Sequence, residues 1–470
     1  MRVVTLAVVS LILSACSAGD GDPDAAGPGA DGSTSVGGGS SGPAGGSGVA
    51  STTDDEPAGP TEGGDGTVGG GDDVDSDGDD SDDAGGSTTG EPSGPSGPFE
   101  PSCPEPDLDA LPAWVPAPGS WGEISLNTMW DLNPCDNDPQ CTWSANLGQS
   151  AVLTVWNGGA FACHEGELGS LVQWGGGHNG YWGNEVYVYD LASQTWERRS
   201  DPNPNPVVAD PANGELDDGT PSVMHTYETL SYHPATNSFV VLQGQVVHNN
   251  ASANGAGHMF SLTDNAWRRT AMIPGPGYGN SAYDAKRELF WGSAQFTRFY
   301  SFDPSGPADA NGRYGTAVDY HHAGIGLDSV AAIDPNNDIF VVADLRDAPT
   351  IRVQDLTDPS SEFVVISTEG PMPSSGAGGF EWVSSRQRFY WYGENGNDIR
   401  TLEPPDNVGD GGLAGDWQSA AWQWTQLSPA GVGPQPRGNG TYGGWAWAPS
   451  IQSFVIVNDV QDAVFAYRPE

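Results

Sequence analysis

Beyond about residue 150 the chain repeats one phrase of four short β-rich runs at intervals of roughly 50–70 residues, and a repeat of that period restricts the fold more than any other property of the sequence. Its plainest copy has residues 152–156 (VLTVW), then 170–174 (SLVQW) closed by Gly175, Gly176 and Gly177. It continues with residues 184–190 (NEVYVYD), apolar at every second position, and a last run from Trp196. A second copy uses residues 230–233, 239–244, 258–262 and a run from Trp267. A third uses 281–284, 289–292, 299–303 and 314–318, with Tyr314 in place of Trp. The fourth, within 330–366, lacks the glycine pair and the Trp. The fifth uses 380–383, 389–393, 399–402 and 422–427, with an insertion before its last run. The sixth has only three runs, at 444–448, 454–457 and 463–467. Far upstream, residues 120–126 (SWGEISL) form an orphan run that begins with the missing Trp.

A four-stranded sheet that is apolar on both faces must be stacked between two others, and a closed ring achieves this without end caps. Glycines after the second strand permit positive φ and close backbone approach, while Trp side chains wedge between sheets. The 67 Gly and 17 Trp also disfavour a helical protein. The expected fold is therefore all-β: a six-bladed β-propeller over residues 103–470, its last blade closed by an N-terminal strand near Trp121. Seven blades, with the extra one inside residues 127–150, and a pair of β-sandwiches are the alternatives. Strand, strand with Gly-Gly, strand with Tyr, then Trp resembles a kelch motif, as in the galactose oxidase-like propellers.

The N-terminal part reads differently. Arg2 precedes an apolar stretch from Val3 to Leu13, and Leu13-Ser14-Ala15-Cys16 resembles the lipobox of bacterial lipoproteins. That resemblance implies a signal peptide over residues 1–15 and acylation of Cys16 with lipid such as palmitate, which is enough for stable membrane anchoring. Ser17 resembles residues that permit outer-membrane sorting, so the expected location is the bacterial cell envelope, at the outer membrane or cell surface. Residues 16–102 are rich in Gly, Ser, Asp and Pro and nearly free of large apolar side chains. Such a segment cannot offset its ordering entropy and is expected to be a disordered tether of about 50 Å root-mean-square span. Within it, residues 73–78 (DVDSDG) copy half of a calcium loop, but Ala84 stands where the bidentate Glu belongs, so a solvated linker is the better reading.

Residues 17–102 hold 19 of the 62 acidic side chains and no Lys or Arg, and the remainder is acidic in its own right. A net charge of −46 excludes nucleic acid as a partner, because the phosphate backbone would be repelled. Apart from Cys16, the cysteines are Cys103, Cys135, Cys141 and Cys163, an even number suited to two disulfides in an oxidising compartment. The expected pairs are Cys135 with Cys141 and Cys103 with Cys163, although three pairings are open. Their spacing is not that of a zinc site.

In a propeller, the loop between strands two and three opens on the same face as the segment entering strand one. That rule gathers His178, Tyr181, His225, Tyr227, His321, His322 and Arg437 around one channel mouth, with Tyr278 and Tyr442 as ligand-binding neighbours. His164, His233, His248 and His258 read as surface or turn residues. The first expectation is a glycan- or protein-binding face. The alternative is an extracellular polysaccharide lyase: His or Tyr would take the C5 proton and Arg would neutralise the uronate, an arrangement that resembles lyases acting on ulvan or oligogalacturonate. A copper-radical oxidase of the galactose oxidase type is a second alternative, for which Tyr320-His321 and Cys163 imitate part of the family's site. Tyr320 lies too far ahead of its strand for that match, and Cys163 is needed for a disulfide. No cofactor is called for; a metal held by His178, His225 and His321 or His322 is the one arrangement the topology permits.

Overall fold

The computed structural model describes residues 102–103 and 111–470, apart from 136–140, 178–179, 249–250, 256, 274–276, 295–297, 322–324, 327, 347–348, 374–375, 394–395 and 406–419. Cys16, the tether and the calcium-loop-like run therefore lie outside the described residues.

Among the described residues, six small antiparallel sheets form the six blades of a β-propeller. The first blade runs outward through Gly159–Ala162, Ser170–Gln173, Tyr187–Asp190 and Thr195–Arg198, and the second through Leu230–His233, Ser238–Val241, His258–Ser261 and Ala266–Arg269. A hairpin, Gly244–His248 with Ala251–Gly255, is inserted into the second blade. The third blade has Gly279–Asp284, Leu289–Ala294, Arg298–Asp303 and Thr316–His321; the fourth has Val330–Asp334, Ile339–Asp344, Thr350–Asp355 and Val364–Ile366. The fifth has Gly379–Val383, Arg388–Tyr392, Ile399–Glu403 and Trp422–Gln426, with Thr368–Glu369 added in parallel at its edge. The sixth takes Ala446–Ala448, Ser453–Ile456 and Phe465–Arg468 from the C-terminus and Ser120–Glu123 from the N-terminus. Each innermost strand packs beside that of the next blade, and Ala446–Ala448 returns to Gly159–Ala162, which closes the ring.

One register explains why six unlike sequences build the same blade. The penultimate residue of each innermost strand is Phe161, Tyr232, Tyr283, Ile333, Trp382 or Trp447. Each lies opposite the second residue of the next strand: Leu171, Phe239, Phe290, Phe340, Phe389 and Phe454 respectively. Cross-strand pairs of this kind are the unit of sheet stability. The turn between the two strands always ends in a left-handed residue: Gly169, Asn237, Glu288, Asp338, Gln387 and Gln452. At Gly169 a side chain would also collide with the Phe161 ring, which is why glycine stands there. Six buried clusters then fill the six interfaces between blades.

The closing strand is anchored on both flanks. Trp121 pairs with Tyr467, and its ring lies 5.2 Å from Tyr467, 6.0 Å from Trp445 and 6.0 Å from Tyr392. Its amide donates to the Ala430 carbonyl of the adjoining segment at 2.9 Å. Further on, Leu126 N–H donates to Gln194 and Trp196 N–H to Asn127, which ties the same segment to the first blade. The disulfides join Cys103 to Cys163 and Cys135 to Cys141.

Two expectations need correction. Residues 152–156 are not the innermost strand of the first blade: Ala151–Thr154 is a helical turn buried between blades, and the strand is Gly159–Ala162. A side chain at Gly158 would meet the Tyr227 carbonyl and one at Gly159 the Gln173 side chain, so a glycine pair of low β propensity stands where the innermost strand begins. The described part of 127–150 forms 3-10 turns at Met129–Leu132 and Gly148–Ser150 rather than a seventh blade.

Trp121→Ala removes a ring that is 6% exposed from the blade that seals the ring. It is expected to destabilise the protein by roughly 3–5 kcal/mol in chemical denaturation; a loss of under 1 kcal/mol would show that closure contributes little.

Candidate functional site

The segment leading into each innermost strand bends towards the axis. In five blades a residue other than glycine takes a left-handed conformation there: Trp156 (φ 49°), Tyr227 (48°), Asp328 (59°), Ala377 (56°) and Tyr442 (44°). Such backbone costs of order 1–2 kcal/mol per residue, so the contacts must offset it. The Tyr227 ring stands 5.3 Å from Tyr278 and 5.6 Å from Tyr442, edge-on to both. The Tyr442 hydroxyl donates to Asp328 Oδ1 at 2.8 Å, and the other Asp328 oxygen pairs with Arg346. Behind them, His225 lies 5.1 Å from Trp156 and 6.0 Å from Tyr227. Tyr442 of the sixth blade thus touches groups from the second and fourth, so its side chain crosses the axis and caps the channel.

The structure brings His225, Tyr227, Tyr278 and Tyr442 together in this cap. Burial raises the hydroxyls of Tyr227 and Tyr442, and the Asp328 charge raises them further. A tyrosine base needs the opposite shift.

Tyr181 lies elsewhere, wholly buried in the first blade, where its hydroxyl donates to Glu185 Oε1 at 2.6 Å. Tyr187 donates to the same oxygen at 2.6 Å, so Tyr181 helps to satisfy a buried carboxyl. Arg437 is 2% exposed; its Nη2 donates to the Asn157 carbonyl, while Nε and Nη1 have no hydrogen-bond partner among the described residues. Burial lowers its guanidinium to about 10, against the raising influence of Tyr442 and Tyr392. His178 and His322 lie outside the described residues. His321 is described by its backbone alone, which ends the outermost strand of the third blade opposite Phe299. Two histidines read as surface or turn residues are buried: His233 hydrogen-bonds Thr236 at 2.8 Å, and His258 lies 3.6 Å from Glu215, a carboxyl also held by Arg269 and Arg313. Among the described residues, no group of three or more His, Cys, Asp or Glu side chains is arranged to hold a metal ion.

Beneath the cap the channel widens into a cavity of about 290 Å³, walled by innermost-strand residues of all six blades. It is bounded at one end by Glu228 and Gly443, next in sequence to the capping tyrosines. At the other end it reaches Pro234, Ala285 and Pro335 in the turns after the innermost strands. The cavity therefore opens on the face opposite the cap. Its rim carries Phe161, Tyr232, Tyr283, Trp382 and Trp447, together with the Cys103–Cys163 disulfide.

Two carboxyls face this space. Glu228 is 4% exposed, and Ala331 N–H donates to its Oε2. Burial holds this carboxyl well above the usual range, opposed by the Ala331 bond and reinforced by the charge of Glu381. Glu381 is half-buried and lines the same cavity. Burial alone pushes it up to about 8.

Sequence reasoning passed over both glutamates, yet the register marks one of them. The residue before the rim position is Ala160, Ser231, Ala282, Ala332, Glu381 or Ala446: small in five blades and a carboxyl in one. Aligning the innermost strands on their penultimate residue exposes that exception. Glu228 has no such mark, because it precedes its strand.

Glu381 holds its proton more tightly when folded, near 8, than in the unfolded chain, near 4.5. Its stabilising contribution is whole below about pH 4.5 and is lost as pH rises through 8. Glu381→Gln cannot ionise, so its thermal midpoint is expected to exceed that of the natural chain above pH 8 and to match it below pH 4.5. Parallel thermal melts across that range check this; an unchanged difference at all pH values would contradict it.

No family model matches this chain, and no curated protein does. Among solved structures, an auxiliary nutrient binding protein from Bacteroides thetaiotaomicron is similar at 11% identity, with 47% of this chain and 53% of that chain covered and a TM-score of 0.31. The match thus spans about half the length of that protein. A nidogen/laminin complex is similar at 8% identity, covering 59% of this chain and 86% of that one, with a TM-score of 0.32.

Proposed function

We propose that this chain is an envelope-anchored binding protein whose propeller takes the end of a glycan into its central channel, from the face opposite the tyrosine cap. The observation that carries this reading is the aromatic rim around a carboxyl-bearing cavity. Sugar rings present flat C–H faces that stack on Trp and Tyr, and their hydroxyls hydrogen-bond to carboxyl groups. A volume of about 290 Å³ is at the small end for ligand sites and suits a terminal residue rather than a long chain. The acylated Cys16 and the acidic tether complete the proposal: they would hold the propeller off an outer membrane or cell surface.

The burial of Arg437, whose Nη2 donates to the Asn157 carbonyl, favours binding over lyase chemistry, which needs a guanidinium open to a uronate. The pairing of Cys163 with Cys103 removes the cysteine that an oxidase of the galactose oxidase type would cross-link to tyrosine.

The intact chain, applied to a glycan array, is expected to retain a defined set of terminal saccharides. Trp382→Ala or Trp447→Ala should weaken that binding by about tenfold through lost stacking. Retention of no glycan overturns the reading. Growth of the ultraviolet absorbance of a C4–C5 unsaturated uronate would replace it with the lyase.

A further inference from the structure

The cavity is chemically one-sided. Its wall has two glutamates, six aromatic residues, and small or aliphatic residues, with no Lys, Arg or His among the described lining residues. Among the described residues neither carboxyl is ion-paired: Glu228 accepts from the Ala331 amide, and burial raises Glu381. Elsewhere among the described residues Glu215 is held by Arg269 and Arg313, and Asp284 by Arg287 and the Trp291 indole, while Glu185 takes two tyrosine hydroxyls on Oε1 and leaves Oε2 without a partner. Burial keeps the two carboxyls protonated in the absence of a cation, and a bound cation would favour their ionised form.

We propose that the channel cavity recognises a protonated amine, which sits between Glu228 and Glu381 beneath the aromatic rim. This rests on the glycan reading and narrows it to a saccharide bearing a free ammonium group. Three features select that chemistry over the others. The ring faces carry negative potential and attract an organic cation, with Trp the best platform, and the rim holds two. A hard divalent ion needs about six or more oxygen ligands, which two carboxyls among apolar walls do not offer. A neutral sugar brings no positive charge to favour the ionised glutamates, whereas an ammonium group does. The chain's net charge of −46 adds a field that draws cations and repels uronates.

The test compares trisaccharides of glucosamine, N-acetylglucosamine and glucose with identical linkage, so that only the C2 substituent changes. Calorimetry with the intact chain at neutral pH is expected to show the glucosamine trimer binding at least about tenfold more tightly than the other two. Glu381→Gln and, separately, Glu228→Gln should abolish that preference while leaving residual sugar binding. Equal affinity for the three trimers overturns the amine inference and leaves the glycan reading standing. A glucosamine preference that survives both substitutions also overturns it, because the charge recognition then lies elsewhere. If none of the three binds while the array retains other glycans, the amine inference fails alone; if the array is also blank, both fail.

Discussion

The antiparallel pairing of Ser120–Glu123 with Phe465–Arg468 is the constraint on which every other feature depends, since it joins the two ends of the propeller and makes the row of sheets a ring. An open row would expose one apolar face of the first blade and another of the sixth. The closing segment covers both: Trp121 enters the cluster between the fifth and sixth blades, and Ile124 enters the cluster between the sixth and first. Only with the circle complete do six innermost strands face a common axis and surround a cavity.

The axis itself is shaped by a trade between backbone strain and side-chain contact. Left-handed residues at the approaches to five blades carry a conformational cost. In return they turn Tyr227, Asp328 and Tyr442 across the channel, where ring contacts and one phenol–carboxylate hydrogen bond tie three blades together. The opposite end has no such closure. There Trp382 and Trp447 pack on the second strand of their own blade, and two carboxyls line the cavity between the rim and the cap.

Much of the fold was legible in the sequence because β structure has a period of two and the repeated phrase restates it six times. The pairing of Cys103 with Cys163 is the expected one of three that the sequence left open, and the closing strand was legible from its orphan Trp. The first innermost strand was not. Residues 159–162 (GAFA) have little β propensity, and the more β-like 152–156 drew the assignment, because propensity cannot register that tyrosines from two other blades crowd the backbone at Gly158. His233 and His258 were misread for a similar reason: a lone histidine has no pattern, and its burial depends on partners far along the chain. The tyrosine cluster was reachable by topology, whereas the sense in which Tyr181 and Arg437 turn inward was not.

The sequence by itself determined the blade: strand order, the Phe in most second strands, the turn positions and the need for a borrowed strand, all set by contacts between residues close in the chain or in fixed alternation. The tertiary structure decided which end of the channel is capped and which is open. It also decided that Glu228 and Glu381, more than 150 residues apart, share one cavity. That outcome depends on how six blades tilt around a common axis, and a side chain's direction relative to an axis is a property of the closed ring rather than of any segment within it.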